Sequence, residues 1–223
     1  MASPSRHRGL PRGYVLTFPL YYGFIRLVTR VMCPRFRVTG RANVPLHGPV
    51  IFAPNHLSDF DPPLIGAASR YPLCYLAKRD LWKIGWLGKL LTFMGCIQVD
   101  PGSPDRAALK TCRAMLDAGE AVVIFPEGKI SPSGEMGPIL PGAVSVALGT
   151  RVPVVPMGIW GVQNALPYGE TIPRPTLAPV RLHFGEPISF DDLHDLPGKV
   201  AREEATKRLE AGLRAAVAVA KRG

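Results

Sequence analysis

Acidic residues are missing from the first 58 positions of this 223-residue chain, which carries +10 overall. The same stretch holds eight arginines: Arg6, Arg8, Arg12, Arg26, Arg30, Arg35, Arg37 and Arg41. A front end of one sign narrows the partner to nucleic acid, an anionic membrane or an acidic protein. Cysteine is also scarce. Cys33, Cys74, Cys96 and Cys112 show no close pair, which argues against a zinc site or disulfide framework and for reduced, structural thiols in the cytosol. The longest charge-free run around the N-terminal apolar stretch, Gly13 to Ile25, is shorter than the roughly 20 residues a spanning helix needs. No small-residue cleavage site follows it, so a secretory signal is not expected. Internal repeats and low-complexity tracts are absent as well.

What is present in that front end is FPLYYGFIRLVTRVMC, residues 18–33. It reads as a helix with a broad apolar face and a narrow basic edge of Arg26, Thr29 and Arg30. Pro19 fits the first turn and Pro34 the end. Such a helix lies in a membrane interface with its arginines near lipid phosphates; the plainer alternative is a core helix packed on its own domain. The expected organisation is therefore a membrane-associating segment, residues 1–34, followed by one catalytic-sized domain, residues 35–223.

That domain alternates strand and helix. RFRVTG (35–40), PVIFAP (49–54), LCYLA (73–77), CIQV (96–99), AVVIF (121–125), VPVVPMGI (152–159) and VRLHFG (180–185) read as strands. Continuous apolar runs such as PVIFAP and AVVIF mark strands buried on both faces. Helices are expected over 78–95 (broken by glycines), 105–119, 142–148 and 199–221. The prolines at 167, 173, 175 and 179 suggest a long surface excursion. The predicted class is α/β, with a central, mostly parallel sheet flanked by helices and preceded by the amphipathic helical segment.

Sites in such sheets gather at strand ends, and two polar clusters directly follow the two most apolar strands. The first is NHLSDFD, residues 55–61. An imidazole, ordinarily titrating near pH 6.5, can take a proton from a hydroxyl if its other nitrogen is held by an acceptor. His56 has two candidate acceptors, Asp59 and Asp61. Asp61, just before Pro62, also reads as a helix N-cap. Ser58 lacks the surroundings of a nucleophile elbow. Metal binding has little support, because His7, His47, His183 and His194 form no ligand pattern with His56. The second cluster, FPEGKISPSGE (125–135), sets Glu127 at a strand end where ligands bind, with Gly128 permitting close backbone approach. From these residues alone, a satisfied polar corner and an ordinary turn explain both clusters as well as catalysis does.

Four blocks in order change the odds. NHLSDFD (55–61), LAKRDLWKIGWLGKLLTFMGCIQVD (76–100), FPEGKIS (125–131) and VPVVPMGI (152–159) together resemble the glycerolipid acyltransferase family, over roughly residues 35–160. The resemblance implies acyl transfer from a thioester, acyl-CoA or acyl carrier protein, to a lipid hydroxyl, with 1-acyl-sn-glycerol-3-phosphate the best single acceptor. It implies His56 as general base and Asp61, rather than Asp59, as the group that holds it. Asn55, Ser58, Lys78, Glu127, Gly128 and Lys129 fall at substrate-binding positions. No metal or redox cofactor is implied. Partners are then a lysolipid, the acyl donor and an anionic membrane at its cytoplasmic face, held peripherally; nucleic acid ranks lowest, for want of a recognition motif.

The chain departs from the pattern at two positions. Pro101 and Ile130 stand where members acting on lysophosphatidic acid carry arginine, the bidentate phosphate ligand. Lys78, Arg79, Lys129 or Arg106 are the possible replacements. The acceptor headgroup stays open to another lysophospholipid or a glycolipid. A thioester hydrolase and a non-catalytic lipid-binding protein of the same fold are the rival readings.

Overall fold

The most apolar run makes the centre of the sheet. Strand β2, Val50–Pro54, is buried at every position, as is β5, Ala121–Val123, and they pair in parallel. A computed structural model describes residues 9–100 and 106–223, with the Arg106 side chain excluded. The expectations resting on Arg6, Arg8, Pro101 and the Arg106 side chain lie outside the described residues. The remaining strands are β1 (Phe36–Thr39), β3 (Leu73–Lys78), β4 (Ile97–Val99), β6 (Val154–Trp160) and β7 (Val180–Phe184). Among the described residues they form one sheet in the order β1-β7-β6-β2-β5-β3-β4. Every pairing is parallel except β6 with β7. The mostly parallel α/β class is therefore observed. Because β2, β3, β5 and β6 run the same way, the loops after them emerge on one edge.

The helices are α1 (Arg12–Met32), α2 (Asp61–Ala68), α3 (Gly85–Phe93), α4 (Arg106–Asp117), α5 (Pro141–Thr150) and α6 (Gly198–Arg222). Helix α6 lies on β6 and packs against α5, which packs against α4. The approach to β6 is close: a Cβ at Gly158 would stand 2.1 Å from the Ala216 carbonyl oxygen, so that position admits only hydrogen. The stretch 78–95 gives Lys78 to β3 and divides into a 3₁₀ segment, Arg79–Lys83, and α3.

Helix α1 corrects the sequence reading in three ways. It starts at Arg12, not near Phe18, so Pro19 sits inside it, where the proline withholds the N–H that the Val15 carbonyl would accept. The helix is also not an appendage that ends at residue 34. Tyr14 and Tyr22 are fully buried, share a hydroxyl–hydroxyl hydrogen bond of 3.0 Å and both accept from the Leu73 N–H at 3.2 Å. Burial pushes both phenols upward in pKa. The segment thus supplies part of the core beside α2 and β3. Finally, the basic edge differs. Thr29 is buried, and Arg26 turns inward, donating through Nε to the Ala67 carbonyl (3.1 Å) and through Nη2 to Ser69 (2.7 Å). Arg41 joins it at the same helix end through Ala68, 2.7 Å. Cations at a helix C-terminus satisfy its free carbonyls and its dipole.

The outward face of α1 stays apolar. Leu16, Leu20, Phe24, Leu27 and Val31 are all exposed, Leu20 at 78%, and their spacing sets them in one stripe. None of the helices among the described residues is long and apolar enough to cross a membrane.

Candidate active site

Strand β2 ends at Pro54, and the chain continues into Asn55 without leaving the sheet. The Asn55 side chain mimics a further rung of the ladder: its Nδ2 donates to the Ile159 carbonyl (3.1 Å) and its Oδ1 accepts the Ile159 N–H (2.7 Å). Asn55 is 1% exposed. Both polar ends of the side chain are thus engaged by β6. Ser58 is likewise sealed. Its hydroxyl donates to the Leu166 carbonyl at 2.7 Å and accepts the Phe60 N–H at 3.0 Å. Asn55 and Ser58 both frame the corner through internal hydrogen bonds, as buried polar groups do.

Between them stands His56. Its Nδ1 lies 2.8 Å from Asp61 Oδ2. The same oxygen accepts the Leu57 N–H at 2.7 Å and the Ser58 N–H at 2.9 Å. Asp61 is the first residue of α2, not its N-cap, which is Phe60; its carboxylate is turned back onto the loop instead of capping the helix. Full burial raises the Asp61 pKa, and the His56 contact and the two backbone donors work against that rise. A carboxylate that accepts at Nδ1 fixes the proton there and leaves Nε2 with its lone pair. The imidazole side chain is 15% exposed, so it is reachable yet largely enclosed. It stacks on Phe125, ring centres 3.9 Å apart and planes 23° from parallel. Asp59, the rival partner, is exposed.

The second cluster clamps the first. Glu127 Oε1 accepts the His56 backbone N–H (2.9 Å) and Oε2 accepts that of Gly137 (2.7 Å). The His56 carbonyl is taken by the Ser131 N–H at 2.9 Å. Both backbone groups of the histidine are thereby tied to the loop after β5. Glu127, 5% exposed, acts as an internal clamp through these two hydrogen bonds to backbone. Gly128 holds φ +66°, a left-handed conformation that favours glycine. Lys78 and Lys129 differ from this group: both are exposed, Lys78 at the end of β3. That strand lies one beyond β5 from β2, about 10 Å away at the usual strand spacing. Phe125 and the Gly137 amide escaped the sequence reading. Phe125 was quoted as strand, and only its place directly before Pro126 and Glu127 hinted that it would reach the imidazole.

Among the described residues, no three His, Cys, Asp or Glu side chains come together as a metal site. The arrangement can hold one imidazole in a single tautomer and orientation at the carboxyl edge of a parallel sheet.

Fold and corner together set a His–Asp pair at the carboxyl edge of a mostly parallel α/β sheet. A family model described as Acyltransferase matches residues 35–160, more than half of the chain, and the chain belongs to that family; it is an acyltransferase. Among its relatives is a 1-acyl-sn-glycerol-3-phosphate acyltransferase of Bacillus subtilis (strain 168), 28% identical over 174 residues, covering 78% of this chain and 83% of that protein. The chloroplastic 1-acyl-sn-glycerol-3-phosphate acyltransferase BAT2 of Brassica napus is 31% identical over 138 residues, 60% of this chain and 39% of the plant protein. In fold, the chain is similar to the crystal structure of the 1-acyl-sn-glycerophosphate (LPA) acyltransferase PlsC from Thermotoga maritima. That likeness has a TM-score of 0.71 at 24% identity and covers 92% of this chain and 83% of the other.

Proposed function

We propose that the protein moves a fatty acyl group from a thioester, acyl-CoA or acyl carrier protein, to the free hydroxyl of a lysophospholipid, with 1-acyl-sn-glycerol-3-phosphate the acceptor. The observation that carries this is the 2.8 Å contact of His56 Nδ1 with Asp61 Oδ2, which frees Nε2 to act as a base. In the step it implies, the acceptor oxygen attacks the thioester carbonyl carbon while its proton passes to Nε2. The carbon–sulfur bond then breaks, and the imidazolium proton goes to the departing thiolate. An ester and a free thiol result. His56 is the catalytic base; Asp61, Phe125 and Glu127 are positioning residues. No metal or redox group has a part in the step. The names of the relatives, which act on 1-acyl-sn-glycerol-3-phosphate, support the choice of acceptor, and the exposure of Lys78 and Lys129 near the same edge supports them as its phosphate ligands.

The apolar stripe of α1 supports a peripheral place on an anionic membrane, at the cytoplasmic face, from which the lysolipid is drawn. One observation favours a second acceptor class. Ile130, half-buried beside Lys129, supplies no guanidinium for a phosphomonoester, so a lysophospholipid with a substituted phosphate, or a glycolipid, is the second reading. A panel of lysolipids assayed with both donor types decides, by counting free thiol and acylated lipid together. Acylated product with one acceptor, lost in His56→Ala, supports the proposal. Fatty acid without acylated lipid identifies a hydrolase, and lipid binding without turnover a tethering protein.

A further inference from the structure

The proline-rich excursion between β6 and β7 has no part in the chemistry above, yet it is pinned at both ends. Near its start, Ala165 and Leu166 are buried, and the Leu166 carbonyl receives the Ser58 hydroxyl from the catalytic corner at 2.7 Å. Arg174 donates its N–H back to Ala165 at 2.7 Å. Near its end, the Thr176 N–H donates to the Met32 carbonyl at the last residue of α1, 2.8 Å, and Arg35 Nη1 donates to the Leu177 carbonyl, 3.1 Å. Prolines 167, 173, 175 and 179 restrict the backbone between these points. The segment is therefore a strap running from the histidine loop to the end of α1.

Two aliphatic side chains farther along it are not tucked in. Ile172 is 72% and Leu177 71% exposed. Leu177 is fastened beside the C-terminal end of the α1 stripe, where Leu27 and Val31 are also exposed. Arg35, which bonds the Leu177 carbonyl, comes with Arg30 and Arg37 from a stretch of sequence that has no acid, and the strap's own acid, Glu170, is paired with Arg174. An exposed Leu177 fastened at the end of an apolar stripe, with Ile172 exposed on the same strap and Arg35 beside it, matches the surface of an anionic bilayer.

We propose that the strap is a second membrane contact: Ile172 and Leu177 enter the same leaflet as the α1 stripe, so that lipid grips the enzyme both at α1 and at a segment bonded to its catalytic corner. This rests on the membrane-surface reading of α1 given above. Because both side chains are exposed, replacing them removes lipid contact without opening the core.

The test uses the full chain and vesicles of phosphatidylglycerol and phosphatidylcholine. Partition is measured for the parent, for Ile172→Ser/Leu177→Ser, and for Leu20→Ser/Phe24→Ser on α1. Sedimentation without vesicles and thermal unfolding are followed for each. The strap pair is expected to lower partition at least about tenfold with unchanged unfolding, and the α1 pair to do the same. Loss in the α1 pair alone overturns the strap while leaving the membrane reading intact; loss in neither overturns both. A changed sedimentation coefficient with unaltered partition assigns the patch to a second copy of the chain and also overturns the proposal. Leu177→Trp guards against a misfolded serine variant: its added fluorescence shifts blue and is quenched by lipids brominated in the acyl chain, and an unshifted, unquenched signal refutes insertion.

Discussion

Replacing Asp61 with asparagine should separate catalysis from stability. Three donors meet Asp61 Oδ2: His56 Nδ1 at 2.8 Å and the Leu57 and Ser58 amides at 2.7 and 2.9 Å. An amide oxygen in the same place keeps the geometry but not the charge. Hydrogen bonds to a charged group are worth about 1.5–3 kcal/mol and neutral ones about 0.5–1.5, so the change forfeits roughly 1 kcal/mol per bond. Against this stands the cost of holding a fully buried carboxylate, which is several kcal/mol. The pKa direction gives the sign. Burial raises the folded carboxyl above its unfolded value, so Asp61 favours folding most below the unfolded pKa, and that contribution is lost as pH rises through the folded one. At neutral pH the cost is fully present, and asparagine, which cannot ionise, removes it. Asp61→Asn is therefore expected to melt at or above the parent temperature at pH 7, with the difference shrinking as the pH is lowered toward the carboxyl range. Activity should move the other way. Without the carboxylate, Nδ1–H is no longer enforced and the imidazolium of the transition state loses its counter-charge, a change that costs up to about 10⁴ in kcat in comparable triads. Calorimetry and initial rates on one preparation test the pair of outcomes. A variant that retains a third of the parent rate, or one whose melting temperature falls by more than about 5 °C alongside its activity, refutes the reasoning.

Asn55→Ala breaks both side-chain bonds to Ile159 and strands buried backbone groups, so a loss of about 2–4 kcal/mol is expected in denaturant unfolding with the KM for acceptor unchanged; a raised KM at parental stability would restore a substrate contact. Phe125→Leu removes the ring stacked on His56, an interaction worth about 0.5–1.5 kcal/mol. Its kcat should fall about 3- to 10-fold with KM held, and a purely KM effect would oppose the positioning role. Glu127→Gln sets an amide NH₂ against one of the two N–H groups now bonded to Glu127. The expected result is a stability loss of about 1–3 kcal/mol and lower kcat, checked by thermal unfolding and initial rates; full stability with lost acceptor affinity would return Glu127 to the substrate.

The sheet was legible because strands such as VIFAP and AVV are buried on both faces and must be apolar throughout, a pattern that survives without any tertiary knowledge. Helix α1 was only half legible. Its outer stripe announces itself, but the phenols of Tyr14 and Tyr22 count as ordinary apolar-face residues until Leu73 arrives from β3 to bond them. Arg26 looked like a lipid-facing cation for the same reason: the carbonyls it serves belong to another helix. In the candidate site, the spacing of His56 and Asp61 was readable, but the direction of the Asn55, Ser58 and Glu127 side chains was not. Each is decided by a backbone group far along the chain, at Ile159, Leu166 and His56 respectively. Polar residues at a strand end look alike in sequence whether they face a ligand or stitch a loop.

The central claim is that His56 takes the proton of a lipid hydroxyl during acyl transfer. Its most direct measurement is the rate at which acylated lipid forms from acyl-CoA and 1-acyl-sn-glycerol-3-phosphate, with His56→Ala set beside the parent and both shown to be folded by their unfolding curves. The account predicts product equal to the thiol released by the parent, and a rate at least about 10² lower in the variant. Acylated lipid formed by His56→Ala at a rate comparable to the parent would contradict it.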